Sequence, residues 1–143
     1  EVSFVLILSI VLAIIFVSIG IFQMLLSFGV PLGEFSLGGY HKVLPKILRV
    51  VSGVNALIAI FMGFVFLQHT NVINGLSFLS TNILVWIITI FLGLSTIANL
   101  IAQSKKEKLI MTPLSGFTFI LCLLISYLKV VIGNEKKIID NPL

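Results

Sequence analysis

Apolar residues in this chain do not alternate with polar ones; they run on. Four nearly uninterrupted apolar stretches cover about residues 2–28, 47–67, 83–102 and 114–132. Each is near or above the roughly 20 residues an α-helix needs to cross about 30 Å of hydrocarbon. The pattern predicts an all-α integral membrane protein, an up-down bundle of four spanning helices. The connections are too short for a separate soluble unit, so residues 1–143 read as one domain. The first run is too long for a secretory signal, has no basic start and lacks a small-x-small cleavage site. It reads as a span.

Within the runs, small and polar residues recur at helical spacing. The first carries Ser9, Ala13, Gly20 and Ser27, with Gln23 beside them; the second carries Ser52, Ala56, Ala59 and Gly63. The third has Asn82, Thr89, Gly93, Thr96 and Gln103, and the fourth Ser115, Cys122, Ser126 and Lys129. Small residues let helices approach closely in lipid, where packing rather than water expulsion holds a bundle together. These stripes are expected to face inward, with the twelve Phe on the outer coat. The two halves share no visible repeat, which argues against an inverted-repeat transporter.

The connections differ in character. Residues 68–82 read as a polar, uncharged external loop, and 104–113 as a tight basic hairpin. Thr112 and Pro113 suit the N-cap and first position of the last helix. The tail, 133–143, is expected to fray. The segment 29–45 is different, with four glycines, two prolines, the lone acid Glu34, and several apolar residues. The prolines bar a continued helix, and Gly38-Gly39 permits close backbone approach. It reads as an ordered cap, shallowly re-entrant in the alternative, against the helix ends.

Composition adds weight to the membrane reading and charge gives it a direction. The chain is 59% hydrophobic and 10% charged, with a mean hydropathy of +1.24, against about 25% charged residues in a soluble domain. The net charge of +4 does not indicate nucleic acid, because the basic residues sit beside helix ends. Lys42, Lys46 and Arg49 flank the first connection, and Lys105, Lys106 and Lys108 the third. The positive-inside rule places both in the cytoplasm and both termini outside the plasma membrane. The single Cys122 can form no intramolecular disulfide and no zinc or iron–sulfur site.

Candidate chemistry gathers at the basic end. Gln23, Arg49, Asn55, Asn99 and Gln103 all fall in that half, near the cap residues Glu34, Tyr40 and His41. Together they outline a polar pocket, whereas the opposite half lacks the groups for a continuous pore. The plain alternatives are that Asn55 and Asn99 bond across helices and that Arg49 snorkels to phosphates. Glu34, in apolar company, needs a partner. Arg49, Lys42, Lys46 and His41 are the candidates, with a Glu34–Arg49 clamp favoured. Glu34 and His41 are the candidates for catalysis. No nucleophilic triad, phosphate loop, metal set or cofactor motif is present.

From Gly29 to Arg49 the chain reads G-V-P-L-G-E-F, then G-G-Y-H-K-V-L-P and Arg, and Met111–Pro113 reads M-T-P. These motifs resemble a family of small bacterial four-span membrane proteins. The resemblance implies the four-span fold and a bacterial plasma membrane, and it carries no activity. The leading functional expectation is a non-enzymatic protein holding a lipophilic or amphipathic ligand, or a partner's membrane helix, at its cytoplasmic half. Membrane lipids are expected neighbours, and self-association is left open. The alternatives are an enzyme acting on a lipid-like substrate through Glu34 and His41, and an oligomeric transporter or channel subunit.

Overall fold

In the computed structural model, residues 2–35, 40–73, 80–101 and 104–141 are described. They form four α-helices: α1 (Val2–Ser27), α2 (Lys46–His69), α3 (Thr81–Leu100) and α4 (Lys105–Asp140). One 3₁₀ turn, Gly33–Phe35, lies between α1 and α2. All four helices are long and apolar enough to cross a membrane. The protein is a multi-pass four-helix bundle.

Local chemistry sets the helix ends. α1 stops at Gly29, whose φ of 91° only glycine adopts freely. There the Gly29 N–H donates to the Leu26 carbonyl and the Val30 N–H to the Leu25 carbonyl, each at 3.1 Å. This paired closure satisfies carbonyls that the last turn leaves open. α2 ends the same way, with Asn71 in the left-handed position (φ 64°). Its N–H donates to the Gln68 carbonyl, and the Val72 N–H donates to the Leu67 carbonyl. At the other end of α2, Pro45 supplies an extended N-cap.

The fourth helix departs from the sequence expectation at both ends. It begins at Lys105, not at Pro113, because Ser104 caps it: the Ser104 hydroxyl accepts the Glu107 N–H. Pro113 therefore lies inside the helix. Thr112 caps nothing, and its buried hydroxyl has no partner among the described residues. Nor does the tail fray after Gly133; the helix continues to Asp140 with residues 133–140 exposed. At about 1.5 Å per residue its 36 residues span about 54 Å, well beyond the hydrocarbon. The 68–82 loop is also shorter than expected. α2 runs through His69, which is buried with Thr70, and α3 starts at Thr81.

Packing is uneven. α1 with α2, and α3 with α4, make two intimate antiparallel pairs, and the seam between the pairs is looser. The small residues face inward as the stripes predict, whereas Asn82 of the third stripe is exposed. A Cβ built on Gly63 would lie 3.3 Å from the Phe16 Cβ, and one on Gly93 would lie 3.0 Å from the Phe119 ring. The two pairs meet in a core of Leu12, Phe16, Val65, Phe66, Val85, Leu121 and Ile125, toward the end that carries the termini. Phe16 and Phe66 stack there with ring centroids 6.3 Å apart. This corrects the expectation of an all-outward Phe coat, which Phe4, Phe61, Phe64 and Phe91 do follow. Ser9 bonds Thr70 across the α1–α2 pair at 2.7 Å, and His69 meets Thr81 at 3.0 Å. The half at the basic end is packed less fully.

Candidate functional site: a cavity at the basic end

Toward the basic end the four helices enclose a cavity of about 530 Å³. Sites for small molecules usually measure about 300–1,000 Å³. Its walls grade along the bundle axis. Near mid-bundle they are apolar: Ile14, Ile15, Phe16, Met62, Phe91 and Leu92. Nearer the basic loops polar side chains join the apolar Phe22, Phe35, Met111 and Leu114: Gln23 of α1, Asn55 of α2, Asn99 of α3, and Glu107 and Ser115 of α4. The grading follows from sequence order, because each of these polar residues lies closer to the basic-end terminus of its helix. Ile14, Ile58 and Phe91 line the cavity yet are 62%, 44% and 51% exposed. The cavity is therefore open at its sides, where a membrane would place acyl chains.

Three of the expected pocket residues, Gln23, Asn55 and Asn99, come together on this wall. Gln103 and the Gly38-Gly39 pair lie outside the described residues. Asn99 Nδ2 donates to Ser115 Oγ at 2.7 Å and to the Met111 carbonyl at 3.4 Å, tying α3 to α4. Gln23 Oε1 is buried and accepts no hydrogen bond among the described residues. A buried amide oxygen without a partner costs about 1–3 kcal/mol, so Gln23 gains from any donor that enters.

Glu34 does not pair with Arg49. Its carboxylate meets Lys106 Nζ at 2.8 Å, which holds the acid below the usual carboxylate range, first through that hydrogen bond and then through charge. The same ammonium lies 5.7 Å from the centroid of Phe35, and Phe35 lines the cavity. Glu34, Phe35 and Lys106 thus latch the 3₁₀ turn to the first turn of α4. The hairpin loops meet at one end of an up-down bundle, and that brings Lys106 within reach. Arg49 has other work: its Nε donates to the Leu44 carbonyl at 2.9 Å, and its guanidinium packs over Gly29. It clamps the end of α1 to the start of α2.

The remaining cap residues lie off the wall. Tyr40 is 67% exposed and the His41 side chain is exposed. What His41 contributes is backbone. The Gly33 N–H donates to the Lys42 carbonyl at 2.8 Å, and a Cβ on Gly33 would overlap the His41 carbonyl oxygen. Sequence reasoning missed Glu107, which is 5% exposed and on the wall. Its signal was present in the spacing Ser104-x-x-Glu107, a capping-box pattern whose Ser104 hydroxyl starts α4 early. Among the described residues no three His, Cys, Asp or Glu side chains come together as a metal site.

Comparison with known proteins finds no matching family model, no similar curated protein and no similar solved structure.

Proposed function

We propose that the protein is a non-enzymatic binding protein of a bacterial plasma membrane, holding an amphipathic molecule between its helix pairs. The observation that supports this is the graded cavity: an apolar interior for a hydrocarbon tail, and a polar collar of Gln23, Asn55, Asn99 and Glu107 for a head group. Catalysis through Glu34 and His41 has less support, since Lys106 engages Glu34 and the His41 side chain is exposed away from the cavity. A pore has less support too, because Phe16, Phe66, Leu121 and Ile125 fill the other half.

The test is occupancy. Protein extracted from its membrane in mild detergent should carry a lipophilic molecule detectable by native mass spectrometry. Ser95→Phe, which places a ring in the cavity, should abolish that occupancy without lowering thermal stability. Equal occupancy in both proteins would end the reading. The same reading sets the cap and collar on the cytoplasmic face and both termini outside, by the positive-inside rule. In a Cys122→Ser background, an impermeant thiol reagent on intact cells should label a cysteine at Val72 and spare one at Lys106. The reverse pattern would invert the orientation.

A further inference from the structure

We propose that the cavity takes a neutral lipophilic alcohol from the bilayer and seats its hydroxyl between Gln23 and Asn55. This rests on the reading of the cavity as an amphiphile site and adds the chemistry of the head.

Register brings the two amides together. A Cβ built on Gly20 would lie 3.5 Å from the Ala56 carbonyl oxygen, and one on Gly53 would lie 3.3 Å from Ser27 Oγ. Gln23 falls between Gly20 and Ser27, and Asn55 between Gly53 and Ala56. The two therefore stand level across the antiparallel α1–α2 pair, and both line the cavity. Gln23 Oε1 is a buried acceptor with no donor among the described residues. The Asn55 amide adds N–H donors and a carbonyl acceptor to the same wall. A hydroxyl answers both, because it can donate one hydrogen bond and accept others. An ether oxygen only accepts, and leaves the Gln23 oxygen as it was. The Glu107 carboxylate has no part in this pairing.

Depth selects against charge. Asn55 lies nine residues into α2 from Lys46, about 13 Å along the helix axis. The headgroup zone of a bilayer is only about 5–8 Å deep on each side. With Lys46 among the head groups, the amides stand at hydrocarbon depth. An ion seated there loses hydration that two neutral amides cannot replace. A phosphate head has partners nearer the surface, since Lys105 and Lys108 are exposed at the basic end. An alcohol dissolved among acyl chains gains a partner by entering. Its route is lateral. Ile14, Ile58 and Phe91 leave the apolar walls open to the sides, whereas the Glu34–Lys106 latch holds Phe35 on the wall at the basic end.

The experiment is a competition read by native mass spectrometry. Purified protein in mild detergent is offered equal amounts of dodecanol, its methyl ether, dodecylamine and dodecyl phosphate near neutral pH, where the amine is protonated. Retention is counted above that of Ser95→Phe, which removes partition into the micelle. Dodecanol should be retained about tenfold over the ether, the worth of satisfying one buried acceptor, and above both charged compounds. Gln23→Leu should bring dodecanol down to the ether's level and leave the ether unchanged. Three results would overturn the alcohol assignment and leave the cavity reading standing: equal retention of alcohol and ether by the wild type, preference for either ion, or persistence of the alcohol preference in Gln23→Leu. Should that variant hold neither neutral compound, the wild-type ratios decide alone. Retention of none of the four by the wild type would overturn the cavity reading itself.

Discussion

Gly29→Ala tests the joint on which the cap hangs. Two costs can be worked from the geometry. The left-handed backbone at φ 91° costs a residue with a Cβ about 1–2 kcal/mol. The new methyl would also lie 2.9 Å from Arg49 Nη2 and 3.0 Å from Cζ, too close for either atom to stay. The guanidinium is the mobile end of a flexible side chain, so it yields, and its bond to the Leu44 carbonyl is lost with it. A hydrogen bond from a charged donor is worth about 1.5–3 kcal/mol, giving a total near 2.5–5 kcal/mol. The two parts separate in a double-mutant cycle with Arg49→Ala, because only the backbone part survives once the guanidinium is gone. Equilibrium unfolding in mixed micelles, followed by Trp86 fluorescence, should show a coupling of about 1.5–3 kcal/mol. Equal costs of Gly29→Ala in both backgrounds would show that Arg49 does not clamp α1. A neutral Gly29→Ala would refute the whole argument.

Three further outcomes are expected. Phe66→Ala should cost about 3–5 kcal/mol in the same assay, whereas Phe64→Ala, 48% exposed on the neighbouring face, should stay within about 0.5 kcal/mol; similar costs would contradict the placement of the core. Lys106 holds Glu34 below its ordinary value of 4.5, so the folded protein binds that proton less readily than the unfolded chain. The stability this contributes is complete above about pH 4.5 and fades as pH falls through the lowered value; Lys106→Gln should flatten that part of the acid limb of a melting-temperature profile, and identical acid limbs would dismiss the latch. Gly33→Ala should push the cap from its seat and speed hydrogen exchange at the Gly33 and Phe35 amides, where unchanged exchange would mean the Gly33–His41 contact does not hold it.

How far the sequence carried depended on the range of the interaction involved. The spans and their inward stripes were legible because they rest on local periodicity: Ser9, Ala56, Gly63 and Cys122 take the positions their spacing demands. The collar was legible for Gln23, Asn55 and Asn99, since depth along a helix follows from counting residues. The ion pair was not. Glu34 has four cations closer in sequence than Lys106, and only the meeting of two hairpin loops decides among partners. Arg49 was misread for the same reason, since its place depends on the shape of the turn at Gly29. The start of α4 was legible and missed, because Thr112-Pro113 gave one capping signal and Ser104-x-x-Glu107 a second, earlier one. Glu107 went with it. The inward Phe16 and Phe66 could not be told from the outward ones by residue type, because lipid and protein interior are equally apolar.

The unequal packing of the helices also bears on how the molecule is made. Each tight pair is continuous in sequence, so α1 and α2 can zip together in the bilayer while the ribosome is still delivering α3. The looser seam closes only when the second hairpin slides against the first. The collar draws on all four helices, so it exists only after that last encounter. A defect at the seam should leave insertion and the individual hairpins intact and appear first as a chain that is made, inserted and empty.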